Sequence, residues 1–213
     1  MSPSTSDEVE LGAVSPSIGS ADSPRALQKY GRLALAVFLA LLAWSAFRNE
    51  YGYIPLLSDI DLAIHEFGHM LFMPFGIQFL GNTMMILGGS LTQVAFPLIF
   101  FGYFMRKHDD APRDLFAAMV CLWWSGINLL SVAIYCADSR AGQLMLIDGS
   151  TGQESDGHDW NNLLGRWGLL QHDIGIARGM RAIAWLVCVG SIVIAFWTAL
   201  QLPPEQAVKP LES

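Results

Sequence analysis

Charged side chains are scarce in this chain of 213 residues: they make up 15% of it, whereas 53% of the residues are hydrophobic. A typical soluble domain carries about 25% charged residues. The scarcity excludes an ordinary soluble domain, because the uncharged residues also form long continuous runs. With 12 basic against 19 acidic residues, the chain lacks the basic surface that neutralises phosphates, which excludes nucleic acid as a partner.

Cysteine and histidine are also few. Three cysteines cannot form a disulfide framework, and all three (Cys121, Cys136 and Cys188) lie in apolar runs, where cysteine is typically a small buried hydrophobe. Five histidines are too few for the multi-histidine di-iron sites of membrane desaturases. Any metal site in this chain must therefore be built from a small set of ligands.

Long apolar segments are what the chain does have, and they predict an all-α, polytopic transmembrane helix bundle with about five spans. Four of the segments have few or no charges, and the second carries several. In chain order they are 29–51, 54–75, the part of the uncharged run 70–105 that follows the Gly81-Asn82 break, 115–137 and 182–204. The two uncharged runs of 23 residues, 115–137 and 182–204, are each long enough to cross a hydrocarbon layer of about 30 Å.

The ends of the chain are polar. Residues 1–24 are rich in Ser and Pro, carry four acids and no Lys or Arg, and are expected to be a disordered tail. A second short tail covers 203–213, which leaves 25–202 as one membrane-embedded domain. Within it, the long loop 139–178 contains an apolar stripe that predicts an amphipathic helix in the membrane interface (Trp160, Leu163, Leu164, Trp167, Leu169 and Leu170).

Basic residues suggest an orientation. Arg25, Lys29 and Arg32 favour a cytoplasmic position for the start of the first span. With five spans, the connection that contains Arg106 would then lie on the opposite side. We expect a multi-pass integral protein surrounded by a lipid bilayer, most simply the cytoplasmic (plasma) membrane.

The second apolar segment contains the strongest chemical signal. His65-Glu66-Phe67-Gly68-His69 is an H-E-x-x-H pattern inside a predicted helix. Residues i and i+4 lie on one helix face, so both imidazoles can reach a single Zn²⁺ at about 2.0–2.1 Å. Glu66 projects to one side of them, where it can act as general base for an attacking water. Ionisable groups in a membrane segment cost about 2.5–3.5 kcal/mol each at the helix centre, which favours a functional metal site over ordinary side chains.

A catalytic zinc also needs a third protein ligand and one open position. The residues leave two regions as candidates: Asp138, at the end of the fourth apolar segment, and the His158-Asp159 pair in the long loop. Asp159 can equally be the N-cap of a loop helix. Asp61, one turn before His65, either accepts a hydrogen bond from the far ring nitrogen of His65 or is a helix-start carboxylate.

With these motifs the chain resembles the site-2 proteases, a family of intramembrane zinc metalloproteases. The H-E-F-G-H run of 65–69 matches the family's zinc helix. Gly88-Gly89-Ser90-Leu91-Thr92-Gln93, followed by Pro97, is similar to the small-residue motif of its next helix. Asn128-Leu129-Leu130 followed by Asp138 is similar to its Asn-Leu-Leu…Asp-Gly signature, although Ser139 stands where the family has glycine. These motifs cover about residues 60–140.

The resemblance implies a role for each matched residue. Glu66 would be catalytic, His65, His69 and Asp138 would bind Zn²⁺, and Asn128 would contact the site or the substrate. An uninterrupted helix over 115–137 would leave Asp138 near a membrane surface, so that helix is expected to unwind around 131–136 and carry the carboxylate to the level of His65.

Two functions follow from these residues. The first is a zinc-dependent intramembrane endopeptidase that hydrolyses peptide bonds in or near transmembrane segments of membrane-protein or peptide substrates. Its substrates would be selected by the long loop or by an adaptor protein. The second is a non-catalytic membrane protein that binds or senses zinc, with a closed shell of His65, His69, Asp138 and one of His158 or Asp159.

Overall fold

The computed structural model describes residues 24–78, 82–106 and 112–201, and this part of the chain is all-helical. Its only strand pairing is an isolated bridge between Met145 and Thr151. The predicted tails, 1–24 and 203–213, lie outside the described residues except for Pro24. The six α-helices are α1 (Pro24–Arg48), α2 (Leu57–Gln78), α3 (Thr83–Met105), α4 (Leu115–Ala137), α5 (Asp159–Arg166) and α6 (Asp173–Leu200), with a 3₁₀ turn at Leu170–His172 before α6.

Four of these helices are long and apolar enough to cross a membrane, which indicates a membrane protein. They are α1, α3, α4 and α6, with spans of Ala26–Arg48, Thr83–Met105, Leu115–Ala137 and Leu170–Leu200. The helix that carries the H-E-x-x-H pattern, α2, is long enough but also contains Asp59, Asp61 and Glu66. The prediction of an all-α bundle with transmembrane helices is therefore confirmed, and the count of five spans stays a prediction.

The centre of the bundle is the antiparallel pair of α4 and α6. Gly126 lets the two helices approach closely, since a Cβ atom there would lie 2.7 Å from Cys188 Sγ and 3.4 Å from Ala184 O. Where α4 ends, Arg140 forms an ion pair of 2.8 Å with the buried Asp173 at the start of α6. Small residues at the helix contact are the usual means of close packing in membranes, where lipid offers no hydrophobic force between helices.

One end of the bundle gathers the start of α1, the end of α3, the start of α4 and the end of α6. A buried cluster joins them (Ala36, Phe116, Ala118, Met119, Ala195 and Ala199, with Leu33, Phe101 and Phe104 around it). Arg32 pairs with Asp114 at 3.1 Å. We call this the terminal end, and the opposite end, where α1 and α4 finish and α6 begins, the loop end.

The position of Arg32 corrects the expected side of the connection between α3 and α4. Because Arg32 of α1 contacts Asp114, just before α4, the connection between α3 and α4 lies at the same end as the start of α1. The sequence-based expectation put the connection on the opposite side. The difference arises because α2 begins beside the middle of α4 and not at the end of the bundle where α1 finishes.

A turn is visible between α1 and α2. Gly52 has a positive φ of 61°, and a Cβ there would lie 2.6 Å from Ile134 Cδ1. Ile54 is then buried in the same cluster as Trp123, Ile127 and Leu130 of α4. Consequently α2 begins beside the middle of α4 and runs outward to the loop end, where α3 starts.

Glycines form the crossing of α2 and α3. A Cβ atom on Gly68 would overlap Gly88 O and would lie 2.7 Å from Thr92 Oγ1, and a Cβ on Gly88 would lie 2.8 Å from Gly68 O. The two backbones are thus in direct contact beside the H-E-x-x-H pattern. This contact holds the two histidines of α2 against the face of α3.

Gly68→Ala is therefore expected to destabilise the protein, because the new methyl group meets backbone that cannot move independently. We expect a loss of about 1–3 kcal/mol in unfolding free energy, measured by denaturant unfolding in detergent micelles. Gly102→Ala on α3 is the control, since a Cβ at Gly102 has open space around it. Equal stability of the two variants would contradict the close crossing.

Candidate metal centre

The H-E-x-x-H residues come together on α2 as the spacing requires. His65, Glu66 and His69 each offer a ligand atom, and these atoms lie within 4.8 Å of one another. His65 is buried, while Glu66 and His69 are partly buried. Such a group could bind a metal ion.

Hydrogen bonds to α3 fix both imidazole rings. His69 Nδ1 lies 2.8 Å from Met85 O, a carbonyl that can only accept, so Nδ1 carries the proton. His65 Nδ1 lies 3.0 Å from Gln93 Oε1. In each ring Nδ1 is thus occupied by a partner on α3, and Nε2 is the nitrogen left to face Asp159 or a metal ion, which is the orientation of metal-binding histidines.

Gln93 is held in turn by a buried asparagine. Gln93 Nε2 donates to Asn128 Oδ1 at 3.2 Å, which leaves Gln93 Oε1 for His65, and Asn128 Nδ2 donates to Gln93 O at 2.9 Å. Asn128 is fully buried. Asn128, which was predicted to contact the site, thus acts on His65 through Gln93. Gln93 itself was not predicted to be a site residue.

Asp61 has a different partner from the one predicted. Its Oδ1 accepts a hydrogen bond of 2.8 Å from Trp124 Nε1 of α4. The far ring nitrogen of His65, which Asp61 was proposed to bind, is bonded to Gln93 instead. Asp61 is nevertheless buried beside this network, and it ties α2 to α4 one turn before the histidines.

Asp159 of α5 is the third group that meets the two histidines. Its Oδ2 lies 3.1 Å from His65 Nε2 and 3.2 Å from His69 Nε2. With metal–ligand bonds of about 2.0–2.1 Å, neighbouring ligands of a tetrahedral ion are about 3.3 Å apart. The two distances from Asp159 Oδ2 to the ring nitrogens are those of hydrogen bonds, and they also fit a metal ion shared by the three groups.

The fold of the loop explains why Asp159 reaches the histidines. His158 is the N-cap of α5, since its Nδ1 accepts from the Asn161 amide at 3.3 Å, so Asp159 is not the cap. The Asp159 amide donates to Tyr135 Oη at 3.1 Å, and Trp160 Nε1 donates to Ser90 Oγ at 3.1 Å. These contacts fasten the start of α5 to α4 and α3.

Electrostatics around Asp159 favour its charged form. Burial acts to raise the pKa of its carboxyl group, but the hydrogen bonds and charges of His65 and His69 outweigh burial, and the pKa lies below its ordinary value. The neighbouring His158 is stacked on the Tyr135 ring at 4.3 Å, and burial lowers its pKa in spite of the nearby Asp138 carboxylate. The lowered pKa of Asp159 thus keeps its carboxylate ionised beside the two histidines.

Asp138 lies at the end of α4 and holds the loop. Its two oxygens accept from the backbone amides of Gln143 and Leu144, each at 2.9 Å. Its other neighbour is His158, whose Nε2 is 3.4 Å away. The predicted unwinding around 131–136 does not occur, because α4 stays helical through Ala137. The structure therefore brings Asp159, rather than Asp138, to the histidines.

The predicted interfacial helix of the long loop corresponds to α5. Its apolar side chains Trp160, Leu163 and Leu164 are buried in the protein. Trp160 and Leu164 pack with Val132 and Cys136 of α4. The face of α5 that was expected to contact lipid is turned toward the bundle, which keeps the start of the helix fixed over the histidines.

A missing side chain leaves room at the centre. A Cβ atom on Gly89 of α3 would lie 2.5 Å from His69 Nε2 and 2.6 Å from His65 Nε2. Glycine at this position therefore keeps open the space between the two nitrogens. An ion bound to both imidazoles would occupy the same space.

A cavity of about 690 Å³ opens onto the group. Glu66, both histidines and Asp159 lie in its wall, together with apolar residues of α3, α4 and the loop (Met85, Ile86, Val132, Ile134, Leu144, Met145, Leu146 and Ile147). Tyr51, Tyr53 and Asp59 also line it, and Tyr53 Oη donates to Asp59 at 2.9 Å. The volume is in the range of sites that bind small ligands or short peptide segments.

Comparison with known proteins does not assign the chain to a family. No protein-family model matches the chain, and neither a curated protein nor a solved structure matches it. The resemblance to the site-2 proteases therefore stays a prediction that rests on the motifs themselves.

Proposed function

We propose that this protein is a zinc-dependent intramembrane endopeptidase, similar to the site-2 proteases, that hydrolyses peptide bonds in or near the transmembrane segments of membrane proteins. The observation that carries the proposal is the convergence of His65, His69 and Asp159 beside Glu66 at the wall of one cavity. Two imidazoles, one carboxylate and an open side match the ligand pattern of catalytic zinc sites.

The residues fit a zinc ion in three ways. Both Nε2 atoms face the centre, because Gln93 Oε1 and Met85 O accept hydrogen bonds from the Nδ1 atoms. Gly89 leaves the space between them open. The set of two nitrogens and one oxygen suits zinc better than magnesium or calcium, which prefer oxygen alone.

Glu66 performs the proton transfers in this proposal. A bound zinc ion would supply a Lewis acid that polarises the peptide carbonyl and makes water more acidic. Glu66 takes a proton from the attacking water, whose oxygen forms a bond to the carbonyl carbon. The same carboxyl group then returns the proton to the amide nitrogen as the C–N bond breaks. Gln93 and Asn128 hold His65 in position throughout.

The membrane placement is part of the proposal. We infer that α2 is embedded together with the four apolar helices, as the fifth membrane segment, and that the protein resides in the cytoplasmic (plasma) membrane. Its exposed side chains Phe67, Met70 and Leu71 support contact of α2 with lipid. The substrate would be selected by the loop 139–178 or by an adaptor protein.

Glu66→Gln tests the enzyme. We expect cleavage of a co-reconstituted membrane substrate to fall by about 10²–10⁴-fold, because the amide cannot accept the proton. Zinc content of the purified variant should stay that of the wild type. Glu50→Gln, which changes an exposed acid, is the matched control and should retain full activity. Unchanged cleavage of the substrate by the Glu66→Gln variant would contradict the proposal that the protein is an enzyme.

A second candidate is a non-catalytic protein that binds or senses zinc. It is favoured by the placement of Glu66, whose ligand atom lies within 4.8 Å of those of both histidines. If Glu66 were the fourth ligand, the shell would be closed and no position would remain for water or substrate. In that case Glu66→Gln lowers zinc affinity, whereas the enzyme proposal expects affinity to be retained.

A further inference from the structure

A tyrosine hydroxyl lies beside the candidate metal centre, and the proton transfers described above make no use of it. Tyr135 of α4 lines the same cavity as Glu66, both histidines and Asp159. Its Oη accepts a hydrogen bond of 3.1 Å from the amide of Asp159, whose Oδ2 lies 3.1 Å from His65 Nε2. The backbone nitrogen and the carboxylate oxygens of one aspartate are about 3–5 Å apart. The hydroxyl therefore lies in the part of the cavity wall that adjoins the centre.

Ring contacts hold Tyr135 in place. His158, the N-cap of α5, stacks on its ring with the two centroids 4.3 Å apart and the planes inclined by 26°. The His65 ring meets the tyrosine ring at a steep angle, with centroids 6.1 Å apart. Tyr135 is thus in contact with both the start of α5 and the histidine face of α2. A hydroxyl held in this way needs no rearrangement before it meets a developing charge.

The hydroxyl hydrogen of Tyr135 has no acceptor in the protein. A phenol hydroxyl has one O–H to donate and lone pairs with which it accepts. The Asp159 amide uses a lone pair, and in the described part of the chain no acceptor bonds to the hydrogen. Because most polar groups in a protein interior are paired, a partly buried donor of this kind is available to a bound ligand.

Two other donors in the cavity wall are already engaged. Tyr53 Oη donates to Asp59 at 2.9 Å, and Gln93 Nε2 donates to Asn128 at 3.2 Å. No Lys or Arg is among the described residues that line the cavity. A negative oxygen atom formed beside the centre would therefore find the hydroxyl of Tyr135 rather than a cationic side chain.

We propose, on the basis of the proposed function, that Tyr135 is a further catalytic residue, whose hydroxyl donates a hydrogen bond to the oxygen of the peptide carbonyl group under attack. As the water oxygen bonds to the carbonyl carbon, the π electron pair of the C=O bond moves onto that oxygen, and Glu66 takes the proton from the water. Tyr135 keeps its own proton throughout. When the C–N bond breaks, the electron pair returns to the carbonyl group and the nitrogen takes the proton from Glu66.

The hydrogen bond from Tyr135 accelerates the reaction because it strengthens as charge develops. A neutral carbonyl oxygen is a weaker acceptor than the oxyanion that replaces it, so the donor stabilises the transition state more than the bound substrate. Loss of one such donor typically costs about 10²–10³-fold in kcat. Tyr135→Phe should therefore lower kcat by that factor at saturating zinc, while KM changes by less than about threefold.

Inhibitor binding tests the hydrogen bond without any turnover. A phosphinic peptide presents a tetrahedral, negatively charged group with an oxygen where the oxyanion would form, whereas a thiol with the same apolar peptide portion binds zinc through sulfur. Both affinities are measured by calorimetry on the zinc-loaded protein in detergent. Tyr135→Phe should weaken the phosphinic peptide by about 10–100-fold, as expected for a hydrogen bond to a charged group, and the thiol by less than about threefold.

The pair of inhibitors separates catalysis from positioning. Tyr135→Phe also removes the acceptor of the Asp159 amide, and a role limited to holding Asp159 would weaken both inhibitors equally. That result would overturn the inference. Ser131→Ala is the matched control, because it removes another hydroxyl from the cavity wall one turn away on α4. Both affinities should stay those of the wild type in this variant, and a selective loss of phosphinic binding there would also contradict the assignment to Tyr135.

The outcomes also distinguish this inference from the proposed function. If the zinc-loaded wild type binds neither inhibitor and cleaves no membrane substrate, the peptidase and the role of Tyr135 are overturned together. If Glu66→Gln abolishes cleavage while Tyr135→Phe keeps the wild-type kcat, the peptidase stands and only the role of Tyr135 is overturned.

Discussion

Asp159→Ala is expected to lower the affinity of the purified protein for zinc by more than the roughly 10–100-fold that loss of an outer-shell partner costs. The reason is that Asp159 Oδ2 lies within 3.2 Å of both histidine Nε2 atoms and is the carboxylate of the proposed ligand set. The affinity is measured by competition with a chromogenic chelator in detergent. Activity should fall with zinc occupancy.

Asp138→Ala is the matched control for that variant. Asp138 holds the Gln143 and Leu144 amides, so its loss should loosen the loop and lower the thermal midpoint, while zinc affinity changes by less than about tenfold. The reverse pattern, with zinc lost in Asp138→Ala and kept in Asp159→Ala, would support the ligand set that the resemblance implies and contradict the proposed one with Asp159.

Gly89→Ala is expected to abolish zinc binding although Gly89 contributes no ligand atom. Its new methyl group would lie 2.5 Å from His69 Nε2 and 2.6 Å from His65 Nε2, in the space that the ion needs. The rings can escape only by turning away from Met85 O and Gln93, which destroys the site but not the bundle. Zinc content by plasma mass spectrometry should therefore fall to background, while the helical circular dichroism spectrum is retained.

Gly102→Ala provides the comparison on the same helix. A Cβ atom at Gly102 meets no neighbouring atom within 4 Å, and the substitution carries the same helix-propensity gain as Gly89→Ala. This variant should bind zinc as the wild type does. Wild-type zinc content in Gly89→Ala would show that the ion does not lie between the two nitrogens.

The helices were largely predictable because hydrophobic length is a local property of the sequence. The run 115–137 coincides with α4, and the predicted segment 54–75 became α2, Leu57–Gln78. The last helix begins at Asp173, earlier than the predicted 182, because Asp173 is buried and paired with Arg140 and so does not need to stay in the loop. The turn at Gly52 that places the start of α2 inside the bundle depends on contacts with α4 and could not be predicted from periodicity.

The histidine pair was predictable for the same reason: residues i and i+4 must share a helix face. The position of Asp159 was not, because it depends on where a loop helix docks, and both Asp138 and Asp159 were compatible with the sequence. Gln93 was the residue that the sequence could have revealed. It is a polar amide in a run of 36 residues without charge, and a buried amide needs a specific partner.

The proposed ligand set spans 94 positions of the chain, from His65 on α2 to Asp159 on the loop helix. An ion held by both ends would act as a cross-link between two segments that the covalent chain leaves far apart, and part of its binding energy would become folding energy. The metal supply of the cell would then govern how long the loop stays docked and how well it resists proteolytic degradation. A chain made under zinc starvation would be short-lived as well as inactive.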